Sequence, residues 1–565
     1  MYNKLESILN ESFSKLGYEV KSKVIKSKEE GVDFQCDNLF KLAKKYHKAP
    51  FMIGDEVIND IKSRGDFSLY FDSIECVKPG FINICVSDLL INNSLKNLIS
   101  KDKFGVEIEN STIVLDYGGP NVAKPLHVGH LRTAIIGQAI NNILSFKGNK
   151  VLSDVHLGDI GTQMGQVIYG ILEDYPGVDF NDIDITLDYL NETYPKISGL
   201  SKENEEVRNR CLEITKELQR QLQEGTGEYF TLWKKIYDVS VKDIKRLYDF
   251  LDVHFDCWYG ESDAFKYYGE MFDYFKDKNV FREDDGALVI DVKEEEDKIE
   301  MPPCIIRKSD GAYLYATSDL GTIWQRKKDF DPDDIIYVVD ARQSLHFTQI
   351  FRAVKKCGFY DGGLEFCGYG TVNGTDNKPF KTRSGGSFKL DDLINEVKEE
   401  FISLREENKQ MSEEDLSKIV NSIIKFADLQ NDLTRNYIFD IKKFSEVNGK
   451  TGPYILYTYL RISKLLSGND GTLSDEIYND IDRSLRLKLL EVNDIIELSA
   501  LERKPHYIAN YLYELSVISN NFYENNKMAE IDEKIRNDYD IVLNFNNLVI
   551  KTLLNLLGIS IPSKM

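Results

Sequence analysis

The chain has 565 residues, of which 42% are hydrophobic and 29% charged, and 93 acids against 71 Lys plus Arg give a net charge of −22. That length suits about three to five domains, the composition excludes a disordered chain, and no run approaches ~20 uninterrupted apolar residues, which excludes a transmembrane helix. Taken whole, the acidity disfavours a polyanion partner, but residues 1–105 carry +1 and residues 450–565 carry −3, so residues 106–449 hold −20.

The N-terminus carries Lys4 and Glu6 and no long apolar core, so it does not read as a secretory signal. Cysteines stand at 36, 76, 85, 211, 257, 304, 357 and 367 without any Cys-x-x-Cys pair. This spacing points to reduced cytosolic thiols and against a disulfide framework or zinc finger. The first hundred residues read as a small α/β module. Leu39, Leu42 and Ala43 share one face of a helix over 37–46, and Phe81–Val86 follows the Lys78-Pro79-Gly80 turn as a strand.

From Thr112 the pattern alternates. Residues 112–117 form a buried strand. Leu131, Ile135, Ala139 and Ile143 mark a helix that ends at Gly148. The stretch of about 165–300 reads as helical at first and charge-rich, ending in a solvated loop or edge at 293–300. Asp334–Asp340 is a strand, 345–357 a helix closed by Gly358, and 364–372 another strand. This alternation predicts a split, doubly wound parallel sheet of Rossmann type. Residues 391–450 read as a charged helical region, and the chain after Thr451 as all helix. There Ile508, Tyr511, Leu512, Leu515, Ile518 and Phe522 form one apolar face.

The sharpest local feature is the loop from Asp116 to His130, between the first strand and the first helix. Its glycines and prolines let the backbone approach a ligand, and the helix start presents free N–H groups suited to phosphate. His127 and His130 share one face of that turn and can donate to a phosphoryl oxygen. A zinc pair or two surface histidines are the alternatives, although zinc needs a third ligand and none is evident. Lys378, Lys381 and Arg383, with Gly385 and Gly386, form either a basic loop that closes over phosphates or a solvated turn. A buried guanidinium needs carboxylates. Asp116 ends the first strand, and Tyr315 and Asp319 share a face if that stretch is helical. By position alone each acid is more often a cap or a surface charge than a pocket residue.

Several segments together carry a family resemblance. PNVAKPLHVGHLRTAIIGQAI (120–140), GDIGTQMG (158–165), DGAYLYATSDLGT (310–322), DDIIYVVDARQSLHFTQ (333–349), KPFKTRSGG (378–386) and VNGKTGPYILYTYLRI (447–462) resemble bacterial-type arginyl-tRNA synthetases, which are class I aminoacyl-tRNA synthetases. The terminal segments GVDFQCDNLFKLAKK, KPGFINICVS, KPHYIANYLYELSVISNNFY and LLGISIPSKM resemble that family's appended N-terminal and anticodon-binding domains. The resemblance implies four parts: an appended tRNA-binding α+β domain at 1–105, a Rossmann-type catalytic domain at 106–400 with an insertion at about 165–300, a helical stem at 401–450, and an all-α anticodon-binding domain at 451–565.

It also implies a cytoplasmic monomer that uses ATP and Mg²⁺ to activate L-arginine, with tRNA(Arg) as acceptor, with adenylate formation requiring bound tRNA, and with no membrane partner and no protein metal site. His127, Gly129 and His130 would hold the ATP phosphates. Lys381 and Arg383 would grip the β- and γ-phosphates. Thr382 stands where the class I signature has its second lysine, and Lys124 would supply that cation. Asp116 and Asn121 would hold the amino and carboxylate end of arginine, while Tyr315 and Asp319 would take the guanidinium and Gln343 would complete the pocket. Asn83, His506, Asn510 and Met565 would meet tRNA. Ser318, Leu456 and Gly118-Gly119 depart from the family pattern. A synthetase-like RNA-binding protein without catalysis and a small-molecule nucleotidyltransferase are the competing readings. An intact His127, His130, Lys124 and Lys381 speak against the first, and the C-terminal helical domain against the second.

Overall fold

Ile113, Val114 and Leu115 are buried on both faces of a strand, as a central parallel strand requires. In the computed structural model, which describes all residues except 299, 309–312, 379, 381–387, 406, 408–409 and 467–472 and 529, the chain divides into two units.

One unit comprises Glu107–Tyr457, Ile496–Asn510 and Thr552–Met565. Its sheet is built from β1 (Thr112–Asp116), β2 (Lys150–Asp154), β3 (Asp334–Asp340) and β4 (Gly363–Tyr369). The helices that matter for the site are α1 (Val128–Phe146), α2 (Thr162–Asp174), α3 (Glu205–Glu224), α4 (Glu228–Phe250), α5 (Tyr315–Phe330) and α6 (Ser344–Cys357). The strand order is β4-β3-β1-β2 and every pair is parallel. The chain moves from β1 to β2 on one side and later to β3 on the other, so β1 and β3 flank a topological switch point. In open parallel sheets the ligand crevice lies there, outside the carboxyl ends of the strands. The loop from Asp116 to His127 leaves the carboxyl end of β1 and so opens into that crevice.

Packing holds these elements in place. Leu320, Ile323 and Trp324 of α5 and Phe347, Ile350 and Val354 of α6 join Ile335 and Tyr337 of β3 in one apolar cluster. Gly137 of α1 meets the Tyr117 ring so closely that a Cβ would lie 2.2 Å from it, which lets α1 lie against the β1 loop.

One expectation is revised, and a second is made specific. The strand read over 364–372 stops at Tyr369, and Val372–Asn373 pairs separately with Tyr437–Ile438. The cause is local: Thr371 N–H is taken by Asn436 Oδ1 at 2.7 Å, and Gly370 packs against the Arg435 carbonyl. The insertion is helical only to Asp277 and then forms a three-stranded antiparallel sheet of Arg282–Asp284, Ala287–Ile290 and Cys304–Arg307. Asp285 and Gly286 both have positive φ, 46° and 77°, which makes the two-residue turn of a hairpin.

The other unit comprises Met1–Val106, Thr458–Ile495 and Tyr511–Lys551. Its antiparallel sheet runs Val24–Lys26, Phe34–Cys36, Phe81–Val86, Phe71–Val77. Arg483 donates to both oxygens of Asp33 at 2.7 Å. Buried Arg486 is held by Asp482 at 2.7 Å, by Asn92 at 2.8 Å and by Asp538. The chain after Thr451 is helical, with Ile508, Tyr511, Leu512, Leu515 and Phe522 buried as their spacing predicts. No described helix is long and apolar enough to cross a membrane.

Candidate active site

His127 caps α1. Its Nδ1 accepts the Gly129 N–H at 3.0 Å, and its own backbone N–H donates to His130 Nδ1 at 3.2 Å. With both Nδ1 atoms accepting, each neutral ring carries its proton on Nε2. The rings stack with centroids 3.9 Å apart. Burial pulls His130 down to about 3, and burial, followed by Lys124, lowers His127. At pH 7 the turn therefore offers two uncharged N–H donors at a helix N-terminus, where anions are favoured. Gly129 is required here, because a Cβ would stand 2.7 Å from the His127 ring.

The chain returning from the basic loop is stitched to this turn. Val128 N–H donates to Phe388 O at 3.1 Å and Leu390 N–H to Leu126 O at 3.0 Å. Lys381 and Arg383 themselves lie outside the described residues. Lys124 Nζ stands 4.8 Å from the Tyr194 ring, a cation–π contact. One turn into α1, buried Arg132 donates to Gly370 O at 2.8 Å and Arg435 O at 3.0 Å and pairs with Asp428. It thereby ties the histidine helix to the end of β4.

Beyond the β2 end lies a cavity of about 580 Å³, lined among others by Ile160, Thr162, Glu261, Tyr268, Tyr315 and Ser318. Glu261 is pushed up to about 8 by burial and then by the charges of Asp159 and Asp319. Asp159 is pushed up to about 6 by burial, although Ser262 donates to it from Oγ at 2.6 Å and from N at 3.0 Å. A recessed acid raised by burial and by two neighbouring carboxylates calls for a cation. Tyr315 opens α5 and is 66% exposed at the rim. Asp319, one turn on, contacts His346 Nε2 through Oδ2 at 2.5 Å. Burial alone would lower His346, but the hydrogen bond and charge of Asp319 raise it.

The other expected arginine residues fall in different settings. Asn121 bridges to Gly158 and accepts from Gln163 at 3.3 Å, so it stands where the β1 and β2 loops meet. Gln343 is exposed at the N-cap of α6. Asp116 is not on the cleft wall. It is buried and accepts from Arg326 Nη2 at 2.6 Å, and the same nitrogen reaches Asp154 Oδ2 at 2.6 Å. A carboxylate at the end of β1 is thus engaged in holding a buried guanidinium of the protein. Of the tRNA candidates, Asn83 is buried and its amide is bonded to Glu29 and Gln35 at 2.9 Å each. His506 opens a helix and is half-buried, Asn510 accepts from Lys450, and Met565 ends the chain half-exposed.

Sequence reasoning missed Glu261, Asp159 and His346. Glu261 and Asp159 lie outside the strands and helices read from the sequence, and His346 lies within the helix read over 345–357, whose apolar pattern gives it no role. The only local signal is the Gly-Glu-Ser-Asp turn at 260–263, whose acids sit on the short helix Glu261–Tyr267.

Comparison with known proteins agrees with this geometry. Residues 94–441 match the class I (R) tRNA synthetase catalytic domain, 455–565 the DALR anticodon-binding domain and 3–86 the arginyl-tRNA synthetase N-terminal domain. The chain is 39% identical to the arginine–tRNA ligase of Alkaliphilus oremlandii and 40% identical to that of Agathobacter rectalis, in each case over 100% of both chains. It superposes on the arginyl-tRNA synthetase of Plasmodium falciparum with a TM-score of 0.82 at 25% identity, covering 100% of this chain and 99% of that one. The Thermus thermophilus arginyl-tRNA synthetase shares the fold, with a TM-score of 0.80 at 20% identity over 100% of both.

Proposed function

Because the chain belongs to the arginyl-tRNA synthetases, the class I arginine–tRNA ligases, we infer that it activates L-arginine with ATP and transfers the arginyl group to the 3′-terminal adenosine of tRNA(Arg). The observation that carries this reading is the raised acid Glu261 on the cavity wall, with Asp159 and Asp319 acting on it, together with a neutral two-histidine turn on the loop that leaves β1. One feature suits a guanidinium and the other suits phosphate.

The chemistry asks little proton transfer of the protein. A carboxylate oxygen of arginine attacks the α-phosphorus, the bond to the bridging oxygen breaks, and pyrophosphate leaves with the electron pair. Carboxylate is already a nucleophile, so the task is positioning and charge stabilisation. His127 and His130 donate Nε2–H to the α-phosphoryl oxygens as their charge grows, with no proton of their own to lose near pH 7. Lys124 and the basic loop with Lys381 and Arg383 meet the charge of the pyrophosphate. A ribose hydroxyl of the terminal adenosine then attacks the acyl carbon, and AMP leaves.

Glu261 joins Tyr315 and Asp319 around the guanidinium, while Asn121 and Gln343 hold the other end. Asp116 acts through Arg326, fixing the floor of the site. Mg²⁺ enters bound to the ATP phosphates. His506, Asn510 and Met565 belong to the surface offered to the anticodon arm. A monomer in a reducing cytoplasm suits the eight free cysteines. Arginine-dependent ATP–pyrophosphate exchange, run with and without tRNA, tests the whole reading. No exchange in the presence of tRNA would refute it and favour an RNA-binding protein without catalysis.

A further inference from the structure

The acid expected to meet the guanidinium already has a partner. Asp319 Oδ2 lies 2.5 Å from His346 Nε2, and the two side chains are 19% and 31% exposed. The pair joins α5 to α6 across 27 residues of sequence. The His346 ring is set edge-on against Phe347, 5.5 Å between centroids, and Phe347 is buried against Tyr337 of β3. The imidazole is therefore anchored to the sheet while its Nε2 reaches the pocket acid. Other titratable groups face Asp319 from every neighbouring element: Glu261 and Tyr268 from the 261–277 segment, Cys304 from the small sheet and Tyr337 from β3. None of these is a cation. Among the described groups His346 is the one basic side chain shown in contact with Asp319.

We propose that His346 is a positioning residue for substrate selection: its Nε2–H holds Oδ2 of Asp319, so that the other carboxylate oxygen is aimed at a guanidinium N–H. This rests on the arginine-pocket reading above. A free carboxylate rotates between many orientations, whereas a guanidinium fork rewards one. Burial lowers His346, but the hydrogen bond and charge of Asp319 raise it above an ordinary imidazole, so the empty pocket favours the protonated ring and the cation that arginine brings favours the neutral one. In either state Nε2 can carry a hydrogen for the same oxygen.

The test is steady-state kinetics on His346→Ala, His346→Gln and Asp319→Asn, with arginine and ATP varied separately. His346→Ala should raise the arginine KM about tenfold or more, the scale of losing a charge-assisted hydrogen bond, while the ATP KM stays within about twofold. His346→Gln, whose amide N–H can reach the same oxygen, should restore most of the loss. It should also remove the part of the pH dependence of arginine KM that His346 contributes. Combined with Asp319→Asn, the alanine variant should add nothing further. The proposal is overturned if His346→Ala leaves the arginine KM unchanged, or shifts the ATP KM equally, or adds fully to Asp319→Asn. If Asp319→Asn itself leaves the arginine KM unchanged, the arginine-pocket reading fails as well.

Discussion

Arginine binding should expel a proton, and Glu261 is its main source. In the empty pocket burial, Asp159 and Asp319 push Glu261 up to about 8, so at pH 7 it is mostly neutral. A guanidinium stays charged across this range and reverses the electrostatics, because an adjacent cation favours the carboxylate. The proton must leave before the full interaction forms. Affinity for arginine should therefore rise with pH and level off above about 8. With an empty-pocket value of about 8 and a bound value returned to the ordinary carboxylate range, linkage gives about a fiftyfold tightening between pH 6 and pH 8. Glu261 contributes a release of about 0.9 proton at pH 7, and His346 adds to it. The folding side has the opposite sign. The folded pocket keeps a proton that the unfolded chain has lost above its normal glutamate value, so the ligand-free protein loses stability as pH rises from about 4.5 towards 8. Calorimetric titration of arginine in two buffers of different ionisation enthalpy measures the proton directly. Thermal shift at pH 6 and pH 8 should show arginine stabilising the protein more at pH 8. Glu261→Gln should weaken binding at pH 8 and flatten the slope. Arginine affinity that is level from pH 6 to 8 with no proton released would refute the reasoning.

The remaining predictions address other parts of the molecule. His130→Ala should cut kcat for adenylate formation by about 10²–10³, the scale of one preorganised donor, and a near-normal exchange rate would remove the phosphate role. Asp319→Ala should act chiefly on arginine KM, because a desolvated guanidinium loses its counter-charge, and an unchanged value would exclude Asp319 from the pocket. Arg486→Met strips the partner from buried Asp482 and Asp538 and should destabilise the protein by about 3–5 kcal/mol in denaturant melts. A loss below about 1 kcal/mol would mean that the pair relaxes to solvent.

How much of this was readable in the chain follows from how far each feature reaches. β1, α1, β3 and α6 were legible because each is a local apolar pattern closed by a local signal, such as Gly148 at φ 101° or Gly358 at φ 65°. The histidine turn was legible for the same reason, since both rings and Gly129 lie within four residues. The spacing of Tyr315 and Asp319 showed a shared face, but their surroundings depend on packing at a distance. Asp319 meets His346 only because α5 lies against α6. Glu261 approaches only because the insertion itself returns past the end of β2, where Leu157 pairs with Gly260. The tRNA candidates were chosen by resemblance, and Asn83 shows the weakness of that step, because its amide is already satisfied by its own sheet.

The acidic centre follows from the same chemistry. In the empty site each carboxylate is balanced by something other than a free cation. Arg326 serves both Asp116 and Asp154, Ser262 serves Asp159, and a bound proton serves Glu261. Of these partners the proton on Glu261 is the one that an incoming guanidinium displaces. A ligand of the same shape without the charge, such as citrulline, cannot draw the proton from Glu261 and so gains nothing from a rise in pH. Discrimination between arginine and citrulline should accordingly widen from pH 6 to pH 8, in step with arginine affinity. A constant ratio of the two inhibition constants would show that shape, and not the displaced proton, makes the choice.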